Sequence, residues 1–241
     1  LGLVSFLLWV SSVYEAGLGI GRGIGELGLI SLLPLTFFVS LSLLTVCFLA
    51  ALKICSRIQS LLFMYVMMLI LFLYLSPAII EGTPRFNPTY AYYQAVDYIT
   101  QFGQIDVTAT WIHSWPASSI FFSALVQVTA IARTPSERAF LTLYPTLFNI
   151  ALFFPVFSFV RMVLPQQKLR WIAVWIFYVA NWIGQDYFSA QSVGFFVFIL
   201  LLLTLFKLMD SGTRGNRWFF VSLLLFCFLA TGHVLSSFAY L

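Results

Sequence analysis

Charge is what this chain has least of. In 241 residues there are 12 Lys and Arg and 8 Asp and Glu, so 8% of side chains are charged while 61% are hydrophobic. Soluble globular domains carry about 25% charged residues, and a chain this poor in charge falls outside that class. Cysteine is scarce too. Cys47, Cys55 and Cys227 lie in or beside apolar runs without paired spacing, which points away from a disulfide framework or a zinc site and toward packing. The formal net charge of +4 is not gathered into one basic stripe, because its residues sit in short clusters between apolar runs. That pattern indicates no nucleic-acid partner and reports how a chain sorts across a membrane.

Apolar runs are what the chain does have, several of them near the roughly 20 residues that cross about 30 Å of hydrocarbon. The expectation is an all-α integral membrane protein, a polytopic bundle of about seven transmembrane helices forming a single transmembrane domain over 1–241, embedded among membrane lipids. Residues 1–13 read as the tail of a spanning helix, ahead of the alternative of a signal-like segment. The runs 27–52, 60–80, 139–160, 193–206 and 218–233 read as further spans, and 169–181 as a short helix framed by Trp171, Trp175 and Trp182 as interfacial anchors. The chain starts at Leu1 and stops at Leu241 inside an aromatic, apolar run, which reads as a portion of something longer. Gly23, Gly25 and Gly28 make a formal GxGxxG, but no strand precedes it and no βαβ unit follows, so it reads as a membrane-surface connection.

Orientation follows from arithmetic on the loops. With Lys53, Arg57, Arg161, Lys168, Arg170, Lys207, Arg214 and Arg217 inside, eight of the twelve basic residues are cytoplasmic, and seven of the eight acidic residues, all but Asp210, fall outside. The parity requires that 115–132 does not cross. Opened by Trp-Pro and carrying Ser118, Ser119, Ser123, Gln127 and Thr129, that segment reads as a helix lying in the interface. Residues 81–138 are therefore expected to form one extracytoplasmic loop of amphipathic juxtamembrane helices.

This loop concentrates the chemistry. Tyr92, Ala95, Val96, Ile99 and Phe102 make the apolar stripe of a helix, leaving Tyr90, Tyr93, Gln94, Asp97 and Gln101 opposite. Asp97, among phenols and amides at a membrane surface, is a candidate general base, because partial desolvation raises a carboxyl pKa toward the working range. The plain alternative is a solvated helix residue. Asp106 and His113 flank a β-leaning stretch, IDVTATWIH, as an acid/base or metal pair or as ordinary surface groups. Arg85, Arg133 and Arg138 can clamp a phosphate by bidentate hydrogen bonds, or simply anchor helix ends. A second constellation, NWIGQDYFSAQS, carries Asn181, Gln185, Asp186, Tyr187 and Gln191, and His233 arrives on the same side. Polar groups this dense at membrane depth are costly unless they face a cavity or partners; helix caps and turn residues are the alternative.

From residue 60 onward the chain resembles the polytopic glycosyltransferases of the GT-C fold, in particular the family 39-like and aminoarabinose-transferase-like membrane proteins. The resemblance rests on order and wording: a span, an outer loop whose amphipathic helix ends at Gly103, then HSWPASSIFF, TPSERAFLTLYP and ANWIGQDYFSAQSVGFF. It implies a multi-pass protein of a bacterial or archaeal plasma membrane that transfers sugar from a polyprenyl-phosphate carrier to an acceptor hydroxyl. An acidic residue of the outer loops serves there as base, and a cation, from Arg, Lys, His or a divalent metal ion, steadies the leaving phosphate. The family's acidic pair falls here at about Pro88 and Thr89, which cannot accept a proton, so Asp186, Asp97 or Asp106 takes the role in this reading. Arg85, Arg133 or Arg138 stands near the phosphate, and His113, His233, Gln185, Tyr187 and Gln191 line the site. Two other readings stay open: an accessory subunit of a membrane complex, with membrane protein partners and the fold but not the catalysis, and a secondary transporter.

Overall fold

The structure is a computed structural model that describes residues 1–20, 28–54, 58–130, 135–181, 186–210 and 215–233. The glycine motif's 21–27, together with Cys55, Arg57, Arg133, Trp182, Gln185 and Arg214, lies outside them. Among the described residues the fold has ten α-helices: α1 Gly2–Gly19, α2 Leu35–Ile54, α3 Gln59–Ile70, α4 Ser76–Glu81, α5 Pro88–Phe102, α6 Pro116–Thr129, α7 Pro135–Val163, α8 Gln167–Ala180, α9 Ala190–Asp210 and α10 Gly215–Gly232. A π-turn, Leu71–Leu75, joins α3 to α4. Helix is what an apolar chain must form where no water reaches the backbone, since each N–H and C=O is then satisfied within its own segment.

Punctuation comes from proline and glycine. Pro88 and Pro116 open α5 and α6, where a missing N–H costs nothing. Gly82 and Gly103 close α4 and α5 at φ of 62° and 66°, the left-handed conformation that glycine enters without penalty.

Among the described residues five helical stretches are long and apolar enough to cross a membrane: Gly2–Gly19, Leu35–Ile54, Gln59–Glu81, Glu137–Val163 and Ala190–Met209. That is fewer than the seven or so expected. Of the other expected spans, α8 has 14 residues, about 21 Å at 1.5 Å per residue, and the apolar part of α10 is the shorter helix Asn216–Gly232. The first run is also longer than its apolar pattern suggested, because α1 continues through Tyr14, Glu15 and Gly17.

Side-chain pairings give each helix its direction. Trp171 packs on Phe157 and the Tyr178 hydroxyl donates to the Asn149 carbonyl at 2.9 Å, so α8 runs back along α7. Tyr144 meets Ser192, Phe148 meets Phe196 and Phe159 meets Phe206, so α9 runs alongside α7 in the same sense. Ser222 donates to Thr204, and Ser118 of α6 donates to the Gly232 carbonyl at 3.1 Å, so α10 returns against α9. The consequence is a sorted molecule. Residues 81–129, 186–189 and 232–233 gather at one end of the bundle, while Arg161, Lys168, Arg170, Lys207 and Arg217 lie at the other.

Trp171 and Trp175 are not interfacial anchors. They are 2% and 7% exposed, with Trp175 stacked on Phe48 at 4.1 Å, because α8 is wedged between α3 and α7. The IDVTATWIH stretch forms no strand; Asp106 heads a turn and Trp111–Ser114 is a 3-10 turn, and no strand occurs among the described residues. The expected stripe on α5 is buried at Ala95, Val96 and Ile99, and departs from expectation at two positions. Tyr93 is buried against Phe188 while Phe102, at the helix end, is 61% exposed.

Candidate functional site

A cavity of about 240 Å³ opens at the end of the bundle where the polar segments gather. Four elements build it: the end of the 59–81 stretch with the loop after it, the first turn of α5, the first half of α7, and the end of α8 with Asp186 and Tyr187 beyond it. Asp186, Arg85 and Tyr187, all singled out from sequence, line it.

Asp186 is placed by its neighbours in the chain. Phe188, fully buried, packs on Phe122 at 4.0 Å and edge-on to Tyr144 at 5.3 Å, so residues 186–189 are clamped between α6 and α7. Burying one such ring is worth roughly 3 kcal/mol. From the other side Tyr74, in the π-turn, donates to the Asn181 carbonyl at 2.6 Å and holds the end of α8. Between these anchors Asp186 Oδ2 accepts a hydrogen bond from Asn149 Nδ2 at 3.1 Å. Burial pushes the Asp186 carboxyl above the usual carboxylate range, while its own backbone N–H, Asn149 and Arg85 favour the charged form.

Arg85 stands at the cavity rim, its side chain 47% exposed, with Nε 3.7 Å from Glu81 Oε1. A half-exposed pair of this length contributes little to stability, so the guanidinium can turn toward an anion in the cavity. Thr89, one of the positions where the resemblance expects an acid, also lines the wall and is 1% exposed.

The remaining candidates fall elsewhere. Asp97, half-buried on α5, accepts from Gln101 one turn on and is not part of the cavity wall. Asp106 accepts from the Thr108 backbone N–H at 2.8 Å and from the Thr108 hydroxyl, and these bonds hold its carboxyl below the usual range. His113 is 1% exposed, with Nε2 3.0 Å from the Ala95 carbonyl and Nδ1 2.9 Å from the Asp106 carbonyl. Its ring thus ties the 103–110 loop to α5, which is a structural use of the imidazole. Arg138 is exposed on α7, one turn before the wall residues Leu141 and Thr142. Gln191 sits in the first turn of α9 and His233 follows α10, where burial pushes its imidazole down. Arg133 and Gln185 are outside the described residues.

Asn149, Tyr74 and Tyr178 were not singled out from sequence. A lone asparagine in the apolar NIALFFPVF run was the available signal, since an amide in a membrane helix needs a partner. Among the described residues no three His, Cys, Asp or Glu side chains gather as a metal site. The carboxylates of the cavity wall are Asp186 and Glu81, the latter with its Oε1 3.7 Å from Arg85 Nε. Comparison with protein-family models, with curated proteins and with solved structures finds no match to this chain.

Proposed function

We propose that this chain is a membrane glycosyltransferase of the GT-C type, moving a sugar from a polyprenyl-phosphate donor to an acceptor hydroxyl at the extracytoplasmic face of a bacterial or archaeal plasma membrane. One observation carries the reading: a buried carboxylate and a half-exposed guanidinium share a cavity whose wall continues into apolar helices. Leu73, Pro77 and Ala78 on one side and Val179 on the other line it, and Val179 is 54% exposed on the outer surface of the bundle. A lipid-linked phosphate suits such a site, with its chain against the apolar surface and its charge beside Arg85.

Asp186 takes the proton of the acceptor hydroxyl as that oxygen bonds to the sugar's anomeric carbon. The bond from that carbon to the phosphate oxygen breaks, and Arg85 receives the charge that develops on the departing phosphate. Seven crossings, with α8 as the fifth, α9 as the sixth and α10 as the seventh, put both groups outside. The pairing directions along α7, α8, α9 and α10 support that count.

Asp186→Asn should lower sugar transfer in membranes by about 100-fold or more, and Asp97→Asn should leave it within about threefold. Full activity in the Asp186 variant sinks the assignment. The accessory-subunit reading has one observation in its favour, the absence of an acid at Pro88 and Thr89. Stoichiometric co-purification with membrane protein partners, and no transfer by the unmodified chain, would establish it instead.

A further inference from the structure

Asn149 is the least expected polar group in the molecule. It lies in the middle of a 29-residue apolar helix and is fully buried. Its two amide hydrogens go to different acceptors, Pro145 O at 2.8 Å and Asp186 Oδ2 at 3.1 Å, while Oδ1 has no hydrogen-bond partner among the described residues. An unsatisfied buried acceptor is destabilising, and a leucine of the same shape would fill the space without that loss. As a packing residue, then, asparagine is a poor choice for this position. What it adds that leucine cannot is the donor to Asp186.

We propose that Asn149 is a positioning residue for Asp186, holding carboxyl oxygen Oδ2 from inside the bundle so that the group keeps one orientation at the cavity wall. The partners on either side of the bond are themselves fixed. Tyr178 Oη donates to the Asn149 carbonyl and Tyr74 Oη to that of Asn181, so α7 and the end of α8 keep their spacing. Phe188 fixes the segment beyond Asp186. A donor aimed at a carboxylate favours its ionised form, so Asn149 also opposes the effect of burial on Asp186. The groups facing Asp186 are Arg85 from the loop after α4, Glu81 from α4, Tyr74 from the π-turn, Tyr144 from α7 and Tyr178 from α8, besides the adjacent Tyr187. Of these Arg85 is the cation, which acts in the same sense as Asn149. The inference rests on Asp186 being the working carboxylate of the proposed function, but its geometry does not.

The test reads protonation of Asp186 without any sugar substrate. Dicyclohexylcarbodiimide reacts with a protonated, water-shielded carboxyl to leave a stable N-acylurea, measured at the Asp186 peptide by mass spectrometry across a pH series in intact membranes. In Asn149→Leu the pH of half-labelling should rise by about one unit relative to the unaltered chain. In Tyr178→Phe, which loosens the same helix pair without touching the carboxyl, it should stay where it is. Asn149→Ala gives the same upward shift if the leucine variant fails to insert. Coincident profiles in the asparagine variants and the unaltered chain overturn the proposal, as does an equal shift in Tyr178→Phe, which would make the effect one of helix spacing. A shift confined to the Asn149 variants, in a chain that transfers no sugar, leaves this inference standing and removes the glycosyltransferase reading.

Discussion

Asp106 and His113 stand seven residues apart and meet where the imidazole lies against the Asp106 backbone, not against its carboxyl. The carboxyl caps a turn and the imidazole ties the Asp106 backbone to the Ala95 carbonyl, so a pair that sequence offered as acid and base is a clasp on the outer loop. A consequence can be measured. The Asp106 carboxyl is held below its ordinary value by the Thr108 bonds, and a depressed carboxyl contributes stability that is present above the unfolded value, about 3.9, and lost as pH falls through the folded one. Amide exchange protection at Thr108 should therefore fall as pH drops below about 4, and should be flat with pH in Asp106→Asn. A parallel fall in both would remove the carboxyl from the account. Spacing alone could not have decided this, because seven residues of non-helical chain fix no mutual geometry.

At the scale of elements the contact between α6 and α10 sets the shape of the polar end. A Cβ on Gly232 would lie 2.9 Å from Ser118 Oγ, closer than side chains tolerate, and Ser118 itself donates to the Gly232 carbonyl. Gly232→Ala should lower the melting temperature in detergent by roughly 2–4 °C per kcal/mol lost for a chain of this size. Ser118→Ala removes the obstacle along with a hydrogen bond, so the double variant should be less destabilised than the sum of the two single ones. Strict additivity would show that the glycine is not there for close approach. The helices themselves were legible in advance. Their ends were less so, since α9 begins at Ala190 and draws Gln191 and Ser192, expected in a polar turn, into its first turn. Trp171 and Trp175 were misplaced for a related reason: tryptophan has the same composition at a lipid interface and in a helix-helix seam, and only the neighbour decides.

For the whole molecule the clearest property is its sorting into two ends, the loop helices with Glu81, Asp186 and Arg85 at one, and Arg161, Lys168, Arg170, Lys207 and Arg217 at the other. In a variant whose only cysteine is at position 104, a membrane-impermeant maleimide should label intact cells; with the only cysteine at position 166, labelling should require permeabilised ones. Labelling of both from the same side would refute the orientation and the crossing count together. Composition alone decided that the chain is helical and apolar enough for a bilayer, because burial of backbone in hydrocarbon is a local requirement that each run meets by itself. It also decided which few residues could do chemistry, since so few are polar. It did not decide that Asp186 and Arg85 would share a cavity while Asp97, Asp106 and His113 would not, nor that Asn149 would reach Asp186 across 37 residues of chain. Those relations depend on how α7, α8 and the Phe188 cluster fit together, and fit between surfaces distant in sequence leaves no periodic mark in the sequence.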